Sequence, residues 1–345
     1  MVVVRMMDMD KDRIDFLVIG AAKSGTTTLF EHLRRHPDIW MPPSKEVPYF
    51  CDDKLFSIGW QTHLAQTFAD APRDKLWGTA TPQYMAGSLL GGDRSGLSDL
   101  RHERIVPERI HAQLPDVRMV AILRDPIERC LSAYQMYVRR GLETRSFDTV
   151  VEHLLSDDML VRARHAPVET NGHVVVGEYA RILAGYYAVF PAEQLLIVFT
   201  GELDREPLAL MKQVFFHIGA DPDFVPSNLH ARYQPVNARA RRRSLDPDRM
   251  RSAVGERLPC LRLLWHRMPI AKRERLDRRL GEFVYRTGLW SRSGSMSLTT
   301  MAPSTERALT EHYCGDVERL AALTGREPPW SERYRDVHKS LFAAD

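Results

Sequence analysis

Short unbroken apolar runs alternate along this chain with stretches in which apolar side chains recur every three or four positions. Phe16-Leu17-Val18-Ile19, ending at Gly20, has the pattern of a strand buried on both faces. Met119-Val120-Ala121-Ile122-Leu123 and Leu195-Leu196-Ile197-Val198-Phe199 repeat it. Behind the first run, Leu29, Phe30 and Leu33 fall on one helix face, and that helix should stop before Pro37. Asp125-Pro126 opens a helix directly after the second run, since proline suits the first helical position. Helical spacing also extends from about Tyr179 to Phe190, from Pro207 to Phe216 and from Thr305 to Leu323. Strands alternating with helices predict an α/β fold, a central parallel sheet flanked by helices on both faces.

Composition narrows the class. Hydrophobic residues make up 44% and charged residues 27%, enough for a sizeable core and too apolar for a disordered chain. No internal repeat is present, and the Gly- and Ser-rich stretch from Gly87 to Ser98 reads as a surface loop. Pro226, Pro235 and Pro247 are too few interruptions for a linker, so residues 1–345 are expected to form a single domain. Its core would span about 14–335, with a less regular, Arg-rich C-terminal third. Lys and Arg (48) nearly balance Asp and Glu (45), which gives no sign of nucleic-acid binding. Cys51, Cys130, Cys260 and Cys314 form no CxxC pair and are expected to be reduced thiols. There is neither a signal-peptide pattern nor an apolar run of membrane-spanning length, so a cytoplasmic location is the expectation.

Chemistry is concentrated at two strand ends. Gly20-Ala21-Ala22-Lys23-Ser24-Gly25-Thr26-Thr27-Thr28 joins the first strand to the first helix. Small residues let the backbone wrap an anion, and a helix N-terminus offers it unpaired N–H groups. Lys23 adds charge, and the hydroxyls add donors. A phosphate-like ligand fits; so does an ordinary strand-turn-helix corner with an incidental lysine. Lys23 precedes Gly25, whereas a Walker A loop places its lysine after the second glycine, and GxGxxG is absent.

The second strand ends in Arg124-Asp125-Pro126, with Ser132 about two helical turns beyond. A guanidinium and a hydroxyl can converge there on a second anionic group. Alternatively, Asp125 caps the helix and Arg124 pairs with a surface carboxylate.

Together these segments resemble the sulfotransferases that use 3′-phosphoadenosine 5′-phosphosulfate (PAPS). Lys23 to Thr27 are similar to the 5′-phosphosulfate loop, and Arg124 with Ser132, in RDPxxRxxSxY, to the 3′-phosphate motif. His36-Pro37-Asp38, Lys45-Glu46-Val47-Pro48-Tyr49-Phe50 and Gly78-Thr79-Ala80-Thr81-Pro82-Gln83-Tyr84 resemble blocks of the heparan-sulfate-type glycan O-sulfotransferases and their bacterial relatives. Gly177-Glu178-Tyr179, Asn237 to Arg243 and Thr324-Gly325…Trp330 follow in the same order. The likeness covers roughly 14–335, densest before 140.

What the resemblance implies is a P-loop-like sulfotransferase fold and an O-sulfotransferase that takes PAPS as co-substrate, releases PAP and needs no metal. The nucleotide would be bound by Lys23, Ser24, Gly25, Thr26, Thr27, Arg124, Ser132 and, as a candidate, Arg239. In-line displacement would use Lys23 for the developing charge and Glu46 as general base for a small-molecule or glycan-like hydroxyl acceptor. A solvated Glu46 paired with Lys45 is the other reading of that carboxylate. Two departures stand out. Several relatives carry a lysine where this chain has Ala80, so the missing cation would come from Lys23 itself, from His63 or from an arginine of 239–243. Pro48 stands where some relatives have histidine.

Arg239, Arg241, Arg242 and Arg243 form a basic patch, and residues 262–279 carry seven basic side chains against Glu274 and Asp277. The second stretch fits an acidic partner surface or a solvated helix face. The thirteen histidines include no HExxH, and His36 reads as a charge suited to a helix end. Tyr84, Tyr134, Tyr137, Tyr186 and Tyr187 fit core packing more readily than a cleft wall. Two other functions compete: a P-loop nucleotide phosphotransferase, and a PAP-binding module without catalysis.

Overall fold

Three apolar runs become three adjacent strands of one sheet. The computed structural model describes residues 14–86, 99–165, 171–231, 233 and 301–335, with the side chains of 99–102 excepted. The parallel strands are β1 (Phe16–Gly20), β2 (Ile39–Trp40), β3 (Leu76–Ala80), β4 (Arg118–Leu123) and β5 (Leu195–Phe199), in the order β2-β3-β1-β4-β5. The helices among the described residues are α1 (Thr26–Leu33), α2 (Asp53–Phe56), α3 (Trp60–Thr67), α4 (Asp99–Gln113), α5 (Pro126–Arg140) and α6 (Phe147–Leu154). They continue with α7 (Asp157–His165), α8 (Tyr179–Tyr187), α9 (Thr200–Arg205), α10 (Pro207–Ile218) and α11 (Pro303–Thr324).

The sheet is buried on both sides, which is why its central strands lack polar alternation. Leu17, Ile19, Met119, Ala121, Leu123, Ile197 and Phe199 pack under α4 and α8 with Leu320 of α11. Phe16, Val18, Val120, Ile122 and Val198 pack under α1 and α10, against Leu29, Phe30, Leu33, Leu210, Met211, Val214 and Phe215. The expected α/β architecture is therefore the observed one. A third cluster joins Ile127, Cys130 and Tyr134 of α5 to α6 and to Leu309, Tyr313 and Val317 of α11, returning the C-terminal helix to the core. Asp316 of α11 accepts from the N–H groups of Ala180 and Arg181 at the start of α8.

Strand β3 is a short stretch that the sequence pattern does not announce as a strand. Its Gly78 faces Phe16 of β1, and a Cβ there would lie 2.1 Å from the Phe16 ring. Close approach of two strands explains the glycine and also why the apolar run is broken. Cys51, Cys130 and Cys314 are buried free thiols; burial pushes Cys51 up to about 12 and Cys130 to about 11. His36 differs from the helix-end charge expected of it. It is buried between Phe215 and Phe224, accepts from Asp38 N–H at Nδ1 and places Nε2 3.1 Å from the Asp221 carbonyl. Residues 87–98, 236–300 and Cys260 lie outside the described residues, so the loop, the basic stretches and the single-domain expectation are not addressed there.

Candidate functional site

Strand order creates the crevice. The chain leaves β1 toward β3 on one side and leaves β4 toward β5 on the other, so the connections diverge at the carboxyl ends of β1 and β4. Both candidate anion loops start there, the first after Gly20 and the second after Leu123.

The first loop turns sharply. Lys23 has φ 70° and Gly25 φ 99°, both left-handed, a conformation that costs glycine nothing and a side-chain-bearing residue about 1 kcal/mol or more. Gly25 is the residue before α1 and supplies no side-chain cap. The first-turn N–H groups of α1 therefore lack an acceptor within the helix. The Lys23 ammonium lies 3.7 Å from the Met136 sulfur of α5 and has no carboxylate partner among the described residues. Burial lowers it to about 8, with Arg139, Arg140, Arg124 and Lys45 adding repulsion. The ammonium is thus half-buried with further cations nearby, of which Arg124 is paired with Glu128 and Lys45 with Glu46.

Two side chains from elsewhere pin the loops together. The Thr200 hydroxyl, at the start of α9, lies 2.6 Å from the Ser24 carbonyl and 3.1 Å from the Leu123 carbonyl. The Tyr179 hydroxyl, from α8, donates to the Arg124 carbonyl at 2.9 Å, and its ring lies beside the buried Ser24. Asp125 caps α5 through the N–H groups of Ile127 and Glu128 and is gripped in turn by Arg333 and Tyr334. The Arg124 guanidinium forms an ion pair with Glu128 at 2.9 Å. Cap and surface pair are thus both present. Ser132 is buried on α5, one turn before Met136 and on the same face.

Beneath Arg124, Arg129 of α5 is fully buried with no carboxylate partner among the described residues. It donates to the His173 carbonyl and lies against Tyr179 and Tyr313. His173 itself is buried against the Tyr137 ring, and burial lowers it to about 4.

Glu46 sits in a clamped segment. Ala80 N–H donates to the Lys45 carbonyl, Val47 N–H donates to Thr81 Oγ1, and the Tyr84 hydroxyl donates to the Val47 carbonyl. The Glu46 carboxylate, 44% exposed, is held by Lys45 Nζ at 3.5 Å on one oxygen and by Gln83 Nε2 on the other. Lys45 Nζ also donates to Thr26 Oγ1 at 3.1 Å. This chain of contacts connects Glu46 to the first residue of α1.

Contacts link Ser24 through Thr200 to the end of β4, Lys23 to Met136 of α5, and Glu46 through Lys45 to Thr26, while Arg239 lies outside the described residues. His63 does not reach the loop: it stacks on Tyr49 at 4.2 Å, and burial lowers it to about 4. The Ala80 methyl faces the core between sheet and α1. Tyr84, Tyr134 and Tyr186 are core residues. Lys45, Gln83, Tyr179 and Thr200 were not singled out as site residues by sequence reasoning. Lys45, Gln83 and Tyr179 lie within segments that carry the family resemblance, and Thr200 carried no local signal. No group of three or more His, Cys, Asp or Glu side chains suited to a metal occurs among the described residues, and none of their helices is long and apolar enough to cross a membrane.

Known proteins resemble this chain at moderate similarity. The membrane-associated sulfotransferase kil1 of Dictyostelium discoideum is 30% identical over 42% of this chain and 28% of its own length. Heparan sulfate glucosamine 3-O-sulfotransferase 6 of Homo sapiens is 27% identical over 59% of this chain and 51% of its own. The chain thus spans about half or less of the length of these relatives. A sulfotransferase crystal structure from Alicyclobacillus acidocaldarius superposes with a TM-score of 0.58 at 21% identity, covering 94% of this chain and 99% of that one, which speaks for a shared fold. The profile of the sulfotransferase domain matches residues 13–234, most of the chain and both loops, and the chain belongs to that family.

Proposed function

We propose that the chain transfers a sulfuryl group from PAPS to an acceptor hydroxyl on a saccharide, glycolipid or natural product. The observation that carries this reading is the pair of loops at the adjacent ends of β1 and β4, carrying Lys23 and Arg124 and held together by Thr200, with Tyr179 bonded to the second. PAPS bears anionic groups at opposite ends of one adenosine, and two linked anion pockets suit such a ligand better than a single phosphate loop would.

In this reading the α1 N-terminus, Thr26, Thr27 and Lys23 hold the 5′ end, and Arg124 with Ser132 holds the 3′-phosphate. Arg124 exchanges Glu128 for the phosphate on binding. The Lys23 ammonium stabilises charge that develops on the departing phosphate oxygen, in a site where burial strengthens the interaction. Glu46 receives the acceptor proton; Lys45 and Gln83 fix the direction of its lone pairs. Kinase chemistry is disfavoured because Lys23 belongs to the turn before Gly25, not to the first turn of α1. The heparan-sulfate relatives make a sugar hydroxyl the first acceptor class to try.

Calorimetry with PAP and with ATP·Mg²⁺, followed by sulfur-35 transfer from PAPS to sugars, lipids and phenols, tests the proposal. Tighter binding of PAP than of ATP, together with labelled product, is expected. Preference for ATP, or no transfer to any hydroxyl, would overturn it.

A further inference from the structure

Resting on the sulfuryl-transfer reading, we propose that Lys45 is a second catalytic cation, its ammonium contacting the oxygens of the sulfuryl group in flight. Three observations place it there. Lys45 Nζ is 3.1 Å from Thr26 Oγ1, at the N-terminus of α1 where the first-turn N–H groups are unpaired. It is 3.5 Å from the carboxylate that faces the acceptor side, so it lies between the phosphate loop and the base. Its backbone is fixed by the Ala80 N–H bond to the Lys45 carbonyl, and its side chain is only 17% exposed, so the ammonium is held instead of sweeping through solvent. Ala80 itself turns its methyl into the core, and Lys45, bonded to it through the backbone, brings a cation to the loop from the neighbouring position.

The step balances as follows. The acceptor oxygen forms a bond to sulfur, the bond from sulfur to the 5′-phosphate oxygen breaks with its electron pair left on phosphate, and the acceptor proton passes to Glu46. In this in-line motion the acceptor and departing oxygens lie at opposite ends, and the three sulfuryl oxygens lie between them. Lys23, inside the loop, meets the departing side; Lys45, beside the base, meets the sulfuryl oxygens. An ammonium so placed contributes most when the sulfuryl group has moved toward the acceptor, the condition for lowering a barrier and not merely tightening binding.

Lys45 also touches Glu46, so the experiment must separate a direct role from orientation of the base. Single-turnover release of sulfur-35 from PAPS, with water as the acceptor, is measured for the wild type, Lys45→Met, Lys45→Arg, Glu46→Gln and the double variant Lys45→Met/Glu46→Gln. PAP affinity is measured for each. Lys45→Met is expected to slow release about a hundredfold while PAP affinity changes less than about threefold, because PAP has no sulfuryl group; Lys45→Arg recovers most of the rate. The double variant is expected to be about a hundredfold slower than Glu46→Gln. Wild-type rates in Lys45→Met, a double variant no slower than Glu46→Gln, or a loss of PAP affinity equal to the loss of rate would each overturn the role while leaving sulfuryl transfer standing. A wild-type chain that bound no PAP would overturn both.

Discussion

The phenol of Tyr179 donates a hydrogen bond to the main-chain carbonyl of Arg124 at 2.9 Å, joining α8 to the end of β4 across 55 residues of sequence. The same ring lies beside Ser24 of the first loop and against the buried Arg129 of α5. In the proposed reading, one side chain thereby sets the spacing between two loops whose separation must match one nucleotide. Tyr179→Phe removes that bond and leaves a buried carbonyl without its donor, at a cost of about 1–2 kcal/mol in stability. Urea unfolding should show the loss with an unchanged slope, and calorimetry should show weaker PAP binding with full stoichiometry. Unaltered PAP affinity in a destabilised variant would mean that Tyr179 supports the fold without spacing the pockets.

Arg124 is bound to Glu128 one turn along α5, with side chains 28% and 55% exposed. A 3′-phosphate must displace that carboxylate and then tolerate its charge. The exposed pair is weak, so Glu128→Gln should tighten PAP by about two- to fivefold, and the gain should shrink as salt is raised. Adenosine 5′-phosphosulfate, which lacks the 3′-phosphate, should gain less. Equal gains for both nucleotides would move the role of Arg124 away from the 3′ end.

In the proposed reading, Lys23 ties nucleotide binding to pH. Its pKa in the folded protein is lowered to about 8, first by burial and then by Arg139, Arg140, Arg124 and Lys45. Above that value the free protein loses the ammonium that the 5′ end requires, so PAP affinity should fall about tenfold between pH 7 and 9, with proton uptake on binding. Lys23→Arg, which keeps its charge, should flatten the decline. Stability runs the opposite way. Because the folded pKa is depressed, the buried charge destabilises fully below about pH 8, and the penalty fades as pH rises toward the unfolded lysine value. Lys23→Met should therefore raise the melting temperature most at neutral pH while weakening PAP binding. A flat affinity profile in the wild type would remove Lys23 from the anion site.

Legibility in the sequence followed the range of the interactions. Strands β1, β4 and β5 are unbroken apolar runs because both faces are covered, and their ends locate Gly20 and Arg124 without further help. Strand β3 escaped notice because contact with Phe16 requires Gly78, and β2 is only two residues long. Lys23, Ser24 and Gly25 stand out locally, since a tight turn before a helix selects small residues. Thr200 and Tyr179 act on carbonyls 176 and 55 residues away, and no pattern along the chain records a side chain bonding to a distant backbone. Lys45 was visible only as a neighbour of Glu46; its bond to Thr26 depends on the turn that brings residue 45 back over α1.

Glu46 offers the sharpest separation of chemistry from binding. Its carboxylate is held by Lys45 and Gln83, and nearly half of the side chain remains open to solvent and to an incoming hydroxyl. Glu46→Gln keeps the shape and the hydrogen bond from Lys45 while removing the ability to accept a proton. Turnover with an identified acceptor should fall about 10²–10⁴-fold, the usual worth of a general base, and PAP affinity should stay within about twofold, since the proposed role of the carboxylate is to take the acceptor proton. The decline in PAP affinity governed by Lys23 above about pH 8 should persist in Glu46→Gln. A Glu46→Gln variant that kept wild-type turnover would assign the proton to a different acceptor group.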